Sequence, residues 1–498
     1  MQVQLRHIAA VFLILAEILA LIWVFPYLPM VDLPEHMLAA QVLTHYHSAG
    51  YNYPAFFTMK IPWNPYSSYF LFVFGTEPVL GIRNATRLYL SLAFVLTILA
   101  FWYWVRTVTP GRDALVIPST LLLFGFFFHI GLINFLFSAP FLFFSLALAW
   151  RILAEGKPGY MTGLLLAASL LMVYLSHIVT FGLTGLMIMG VAVFVFKGKR
   201  LTRLIWPAIP ASLLFAVYSL TEARQDVASA TISYDPFMDR LATLLMPLNI
   251  FWDSIEHHWT HDRATLILWS LAIIIMVWGA LLKKPGGSRR PAPWPVWLMT
   301  GMFVCGTFLL PSYLSGGLGV ALRSSYFAAF AALALLSVTW DQNRLLAVLM
   351  LLVCAAYPVV MASRMVKFTS EMKGLESVIF PLPSGKVIQP VMTDLHSAGF
   401  GRTYALLHAA AWYSFYKGGA SPYLIATWAN HFPVRTRGPV LPHPTGEWEM
   451  GSFRYDVNAQ GTDYFLVRTR DPRIIADLTH HVPLATKAGD WMVFGPNR

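Results

Sequence analysis

The sequence predicts an all-α polytopic membrane protein of about eleven transmembrane helices, with an extracytoplasmic α/β domain at its C-terminal end. Two features of the chain predict the helical bundle. Hydrophobic residues make up 57% of 498 and charged residues only 12%, whereas a soluble globule carries about twice that charged fraction. The apolar residues are also gathered into runs of bilayer-crossing length. A third feature predicts the added domain: beyond Met365 the runs give way to short strand-like segments bounded by Gly, Pro and Asp.

Taken in order, Ile8 to Leu28 is the first span. It is too long for a signal-peptide core and no small-residue cleavage site follows it, so it reads as a retained helix. Further runs fall near 88–105, 115–129, 133–150, 160–176, 179–196, 204–220, 264–282, 295–311, 320–338 and 345–363. The stretch Tyr69 to Ile82 is apolar but holds Glu77 and Pro78, so it reads as an interfacial helix within a long loop, 29–87. A second long loop spans 221–263. The transmembrane domain with these two loops occupies 1–364 and the α/β domain 365–498. In the latter, Lys386 to Met392, Asp463 to Arg468 and Trp491 to Phe494 read as strands. Arg402 to Tyr416 reads as a helix stopped by Lys417-Gly418-Gly419.

The net charge of +11 does not point to nucleic acid, because the basic residues sit mostly at the ends of apolar runs. Lys197, Lys199 and Arg200, then Lys283, Lys284, Arg289 and Arg290, then Arg106 and Arg112 all fall on one side of the predicted topology. The positive-inside rule makes that side cytoplasmic, with the amino terminus inside and the tail outside. Cys305 and Cys354 both lie in apolar spans, so no disulfide framework is implied.

Chemistry-bearing residues collect at the outer level. Asp32, Glu35 and His36 follow the first span, at the root of a loop too rich in Tyr, Phe, Trp and Pro to read as merely solvated. His129, Asn134 and His177 mark outer turns, and Arg323 opens a span after the Gly-rich stretch 315–319. Any one of these suits an ordinary interfacial cap; their shared level makes them pocket candidates. His257 and His261 stand four apart, which on a helix would place both on one face at a spacing suited to a divalent metal, although the zinc-protease Glu is absent. A wet histidine patch is the plain alternative. Glu17 is the acid near the middle of the first span, and the cost of burying it in lipid predicts that it faces the bundle.

Asp32-Leu33-Pro34-Glu35-His36, Gly131-Leu132-Ile133-Asn134-Phe135 and the tail segments Asp463 to Arg468 and Gly489-Asp490-Trp491 carry a resemblance. With the long first outer loop and outer tail, the chain resembles the GT-C superfamily of membrane glycosyltransferases, and in particular bacterial multi-pass proteins that pair these two motifs. The resemblance implies an inverting transferase of the cytoplasmic membrane. Its donor would be a polyprenyl-phosphate-linked sugar, and its acceptor a glycan, a lipid or a protein at the outer face. It also implies that Asp32 is the catalytic base or orients the acceptor, with Glu35 and His36 beside it. The two acids are separated here by Leu33-Pro34, where many members have adjacent acids.

Such a reaction needs a carboxylate to take the acceptor's proton. It also needs positive charge or a divalent cation at the departing phosphate. Arg323 is the candidate for the phosphate, since a guanidinium grips phosphate oxygens at two points. Lys60, Arg83 and Arg87 are lesser candidates, and Trp63, Tyr66, Trp412 and Tyr413 are candidates for stacking on sugar or prenyl units. Partners are then the lipid-linked sugar, the acceptor and membrane lipid. An outer-face glycan polymerase or ligase shares these features, and a non-catalytic assembly subunit is a further alternative. A transporter would show several intramembrane ionisable groups and a repeated half, and neither is present.

Overall fold

The computed structural model describes residues 2–60, 64–110, 115–155, 159–221, 232–248, 250–253, 258–261, 263–281, 294–314, 317–336, 344–401, 403–427, 432–437, 447 and 450–496. Among them, five helices are long and apolar enough to cross a membrane: Ser68–Val108, Ile133–Ala154, Ile178–Val195, Leu201–Thr221 and Arg344–Ile379. Six shorter apolar helices accompany them: Ala9–Val24, Val116–Ile130, Tyr160–Ser176, Arg263–Gly279, Trp294–Leu309 and Val320–Leu335. Together with the composition, they make the chain a membrane protein.

Several elements depart from expectation for physical reasons. Ser68–Val108 is two helices joined at Gly81, whose φ of 69° and ψ of 159° break the helical path. The expected interfacial helix is thus continuous with the span after it. The 115–129 run is in pieces: a turn of α-helix at Val116–Ser119, a 3-10 turn at Thr120–Leu122, then Phe126–Ile130. The last apolar helix does not stop at 363, and the expected boundary at 364/365 falls inside it. It runs to Ile379 because Met365, Phe368, Met372, Leu375 and Ile379 prolong a buried stripe at three- and four-residue spacing. Glu17 is exposed on the surface of this chain, off the face where Ile14, Ile18, Leu21 and Ile22 are buried, so the expected bundle-facing acid is not observed. That aliphatic face packs better, and the acid is left off it.

The two ends of the bundle carry different chemistry. At one end, Arg200 donates from Nη1 to the carbonyls of Leu153, Ala154 and Glu155, and Arg203 donates to that of Glu155. These guanidinium groups satisfy the last carbonyls of the helix Ile133–Ala154. At the other end lie the start of that helix, the start of Ile178–Gly190 and the start of Val320–Leu335.

The tail builds a four-stranded sheet in the order Leu484–Ala488, Trp491–Phe494, Tyr464–Arg468, Ile388–Met392; the last two strands are parallel and the other neighbours antiparallel. Side chains alternate strictly. Tyr464, Leu466, Trp491 and Val493 join the core that runs through the bundle from Ile14. Phe465, Val467, Met492 and Phe494 form a second core with Ile474 and Leu478 of the helix Pro472–His481. The period of two therefore places the sheet between the bundle side and a covering helix. The first loop and the tail also share a two-stranded sheet, in which Phe57–Met59 pairs antiparallel with Val434–Thr436.

Candidate functional site

Asp32 occupies the N-cap position of the helix Leu33–His45 without a side-chain hydrogen bond to it, and Pro34 occupies one of that helix's first two positions, where a missing N–H costs nothing. The backbone around it is pinned to a neighbouring turn. Val31 N donates to His129 O at 2.8 Å and Asp32 N to Ile130 O at 2.9 Å. The turn's own Gly131 has φ of 90°, and a Cβ there would lie 2.7 Å from Asp32 N. A side chain at position 131 would thus collide with the backbone that carries the acid, besides being strained by the positive φ. Gly131→Ala is expected to leave membrane insertion intact and, by displacing Asp32, to lower at least tenfold any reaction that depends on that carboxylate. Steady-state rates of the two proteins at equal folded amount check this.

Asn134, three residues on, serves the same junction. Its Oδ1 accepts hydrogen bonds from Ser68 Oγ, Tyr69 N and Tyr89 OH, each at 3.2 Å, and so holds the first turn of Ser68–Val108. The Gly131 and Asn134 pair thus fixes the first loop to the bundle. His129 is buried with Nδ1 3.3 Å from Pro29 O, and it belongs to this scaffold.

Arg323, from the far part of the chain, is brought to His177 and within electrostatic reach of Asp32. It is 8% exposed, and Asp32 and Tyr66 both act on it electrostatically. Its Nε donates to His177 Nε2 at 2.8 Å. A guanidinium only donates, so Nε2 is the acceptor, while His177 Nδ1 caps the next helix, accepting from Thr180 N at 3.3 Å and lying 3.3 Å from Thr180 Oγ1. His177 therefore sets the orientation of the guanidinium. Gly319, with φ of 74°, leaves room for Arg323 Nη1, since a Cβ there would stand 3.3 Å from that atom. Tyr66 packs edge-on against the His177 ring at 4.9 Å. Its φ of 82° is an uncommon backbone state for a bulky residue, and such outliers persist where surrounding structure imposes them.

On its other side Asp32 meets a buried acidic group from three parts of the chain. His408 Nε2 lies 3.5 Å from Asp32 Oδ1, and His408 Nδ1 lies 3.1 Å from Glu447 Oε2 and 3.7 Å from Glu35 Oε1. Glu35 also accepts a hydrogen bond from Ile425 N at 3.2 Å. Burial pushes the Glu35 carboxyl up to about 8, against the opposing pull of His408, and burial likewise raises Glu447. Burial acts to lower His408, but the carboxyl groups of Glu447, Asp32 and Glu35 together outweigh it and hold the imidazole well above its ordinary 6.5. Asp32 is the most open of the three acids, at 22% side-chain exposure against 3% for Glu35 and 7% for Glu447.

The other expected residues are placed differently. His36 is buried among Tyr69, Phe70 and Phe432, its Nδ1 has no hydrogen-bond partner, and burial lowers it to about 4. Trp412 and Tyr413 are core residues rather than open stacking surfaces. Arg83 is boxed by the rings of Tyr27, Trp412 and Tyr416 at 5.0, 5.7 and 5.1 Å. Arg87 donates to Phe25 O and Asn84 Oδ1. The helical premise for His257 and His261 does not hold: His261 ends a strand, His258–His261, paired with Ile250–Asp253. His257 and Trp63 lie outside the described residues. Among the described residues, no group of three or more His, Cys, Asp and Glu is arranged to hold a metal ion.

No protein-family model and no curated protein matches the sequence. Over nearly its whole length the chain is similar to a solved structure, ArnT from Cupriavidus metallidurans bound to undecaprenyl phosphate, at 11% identity and a TM-score of 0.46, covering 98% of this chain and 97% of that one. The apo state of the same protein matches at 11% identity and a TM-score of 0.42, covering 97% of each.

Proposed function

We propose that the chain is a glycosyltransferase that moves a sugar from a polyprenyl-phosphate donor to an acceptor at the outer face of the cytoplasmic membrane. The observation that carries this reading is a buried guanidinium, Arg323, held by His177 and electrostatically coupled to a partly open carboxylate, Asp32, beside an apolar bundle. Transfer from a lipid phosphate needs a carboxylate on the acceptor's side of the anomeric carbon and fixed positive charge on the leaving group's side. Asp32 is the exposed acid of its cluster, and Arg323 is oriented by His177. In this reading Asp32 takes the acceptor's proton while Arg323 neutralises the phosphate as the glycosidic bond to it breaks. Glu35, neutral below about pH 8, is unsuited to the base role at neutral pH. Undecaprenyl phosphate is the lipid in the similar ArnT structure, and this class of lipid is the proposed carrier here. The segregation of Lys and Arg supports an outward-facing site.

One preparation tests both halves of the reading. Purified full-length protein is expected to co-extract a polyprenyl-phosphate-linked sugar, identified by mass spectrometry. In intact cells a membrane-impermeant thiol reagent is expected to reach Lys487→Cys, on the exposed tail strand, but to reach Lys199→Cys only after permeabilisation. Phospholipid alone in the extract, or reversed labelling, would overturn it.

A further inference from the structure

The residue His408 plays no part in the proton and phosphate roles just assigned, yet it is 7% exposed and touches all three acids of the site. We infer that His408 is a positioning residue for Asp32, supplied by the tail, and that the site is complete only when the tail is docked. This rests on the proposed sugar transfer for its chemical meaning, but its geometry stands independently.

The argument is one of hydrogen counting. An imidazole with one ring hydrogen donates to one partner. Here Nε2 faces Asp32 at 3.5 Å while Nδ1, buried without an aligned hydrogen bond, faces Glu447 at 3.1 Å and Glu35 at 3.7 Å, so only the doubly protonated ring turns an N–H toward carboxyl oxygens on both sides. Of the neighbouring acids, Glu447, 3.1 Å from Nδ1 and nearly sealed from solvent, does most to favour that doubly protonated form, which turns an N–H and a positive charge toward Asp32. Asp32 makes no side-chain cap to its own helix, so no local hydrogen bond competes for its carboxylate. Other titratable groups coupled to the cluster are His36, on which Asp32 and His408 act, and Arg323, on which Asp32 acts. His408 sits between the Leu395 contact of Leu406 and the helix Ala410–Lys417, whose end is fixed by Gly418 N donating to Ser414 O. The expected helix 402–416, whose first residue lies outside the described residues, begins only at Ala410; the turns before it, with Tyr404 at φ of 52°, carry the imidazole to the acids.

The coupling is measurable without any sugar. In full-length protein with 15N-labelled histidine, the His408 signal is assigned by its loss in His408→Gln. Its titration midpoint is expected to fall by about one pH unit or more in Asp32→Asn, because one anionic neighbour is removed. An unchanged midpoint would overturn the inference, whatever the chain transfers. The second readout is kinetic and uses radiolabelled polyprenyl-phosphate sugar prepared from the host membrane. His408→Gln, close in size and neutral, is expected to lower kcat on the order of 10²-fold with donor KM within about twofold, as for a misplaced reacting group. A wild-type kcat in His408→Gln would also overturn it. Absence of transfer in the wild-type protein would instead count against the sugar-transfer reading and leave the titration as the arbiter.

Discussion

Asp32→Asn is expected to abolish transfer, lowering kcat by about 10²–10⁴-fold, the usual cost of losing a general base. The substitution is nearly isosteric, and Asp32 is partly exposed and caps no backbone donor with its side chain, so the folded protein should be recovered in normal yield. The specificity of the effect follows from the neighbours. Glu35 lies 3.7 Å from the same histidine but is pushed up to about 8 by burial. It therefore holds its proton at neutral pH and cannot substitute. Transfer assayed across pH 6–9 gives the check. Recovery of the variant's rate as the pH climbs past 8 would show Glu35 taking over, and a wild-type rate at neutral pH would exclude Asp32 from the chemistry.

Arg323→Ala is expected to weaken donor binding by about 10–150-fold, the equivalent of roughly 1.5–3 kcal/mol for a charged hydrogen bond. Arg323→Lys should fall between the two, because it keeps the charge but loses the planar fork and the 2.8 Å Nε link to His177. A donor titration on the three proteins separates this from a packing role. If Arg323 served only to satisfy His177 in a buried place, the Ala variant would lose thermal stability while its remaining folded fraction bound donor normally.

Much of this arrangement was legible in the residues because it depends on local pattern. The apolar helices follow from runs of hydrophobic residues, and the tail strands at 464–468 and 491–494 from period-two alternation. Asp32 and Arg323 were legible because a charge at the mouth of an apolar run is costly without a use. Other parts depend on pairings over long separations. Leu484–Ala488 has exposed, polar-mixed side chains and reads as a loop until Trp491–Phe494 is seen beside it. His408 meets Asp32, and Glu447 meets His408, across most of the chain from the first loop, and neither carries a local signature; the run of small residues after His408 suggests only helix. Glu17 was misplaced because its cost in lipid was weighed without the better packing of Ile14 and Ile18 on the other face.

The pairing of Phe57–Met59 with Val434–Thr436 has a consequence for biogenesis. A ribosome adds about 5–20 residues per second, so tens of seconds separate the emergence of these two strands. For nearly all of that interval Asp32 and Glu35 are in place with neither His408 nor the Ile425 amide to meet them. A nascent or truncated chain would hold the acid and the guanidinium but not the imidazole between the acids. Competence would therefore arrive only with the last quarter of the polypeptide, so an unfinished chain inserted in the membrane would be unable to spend lipid-linked sugar.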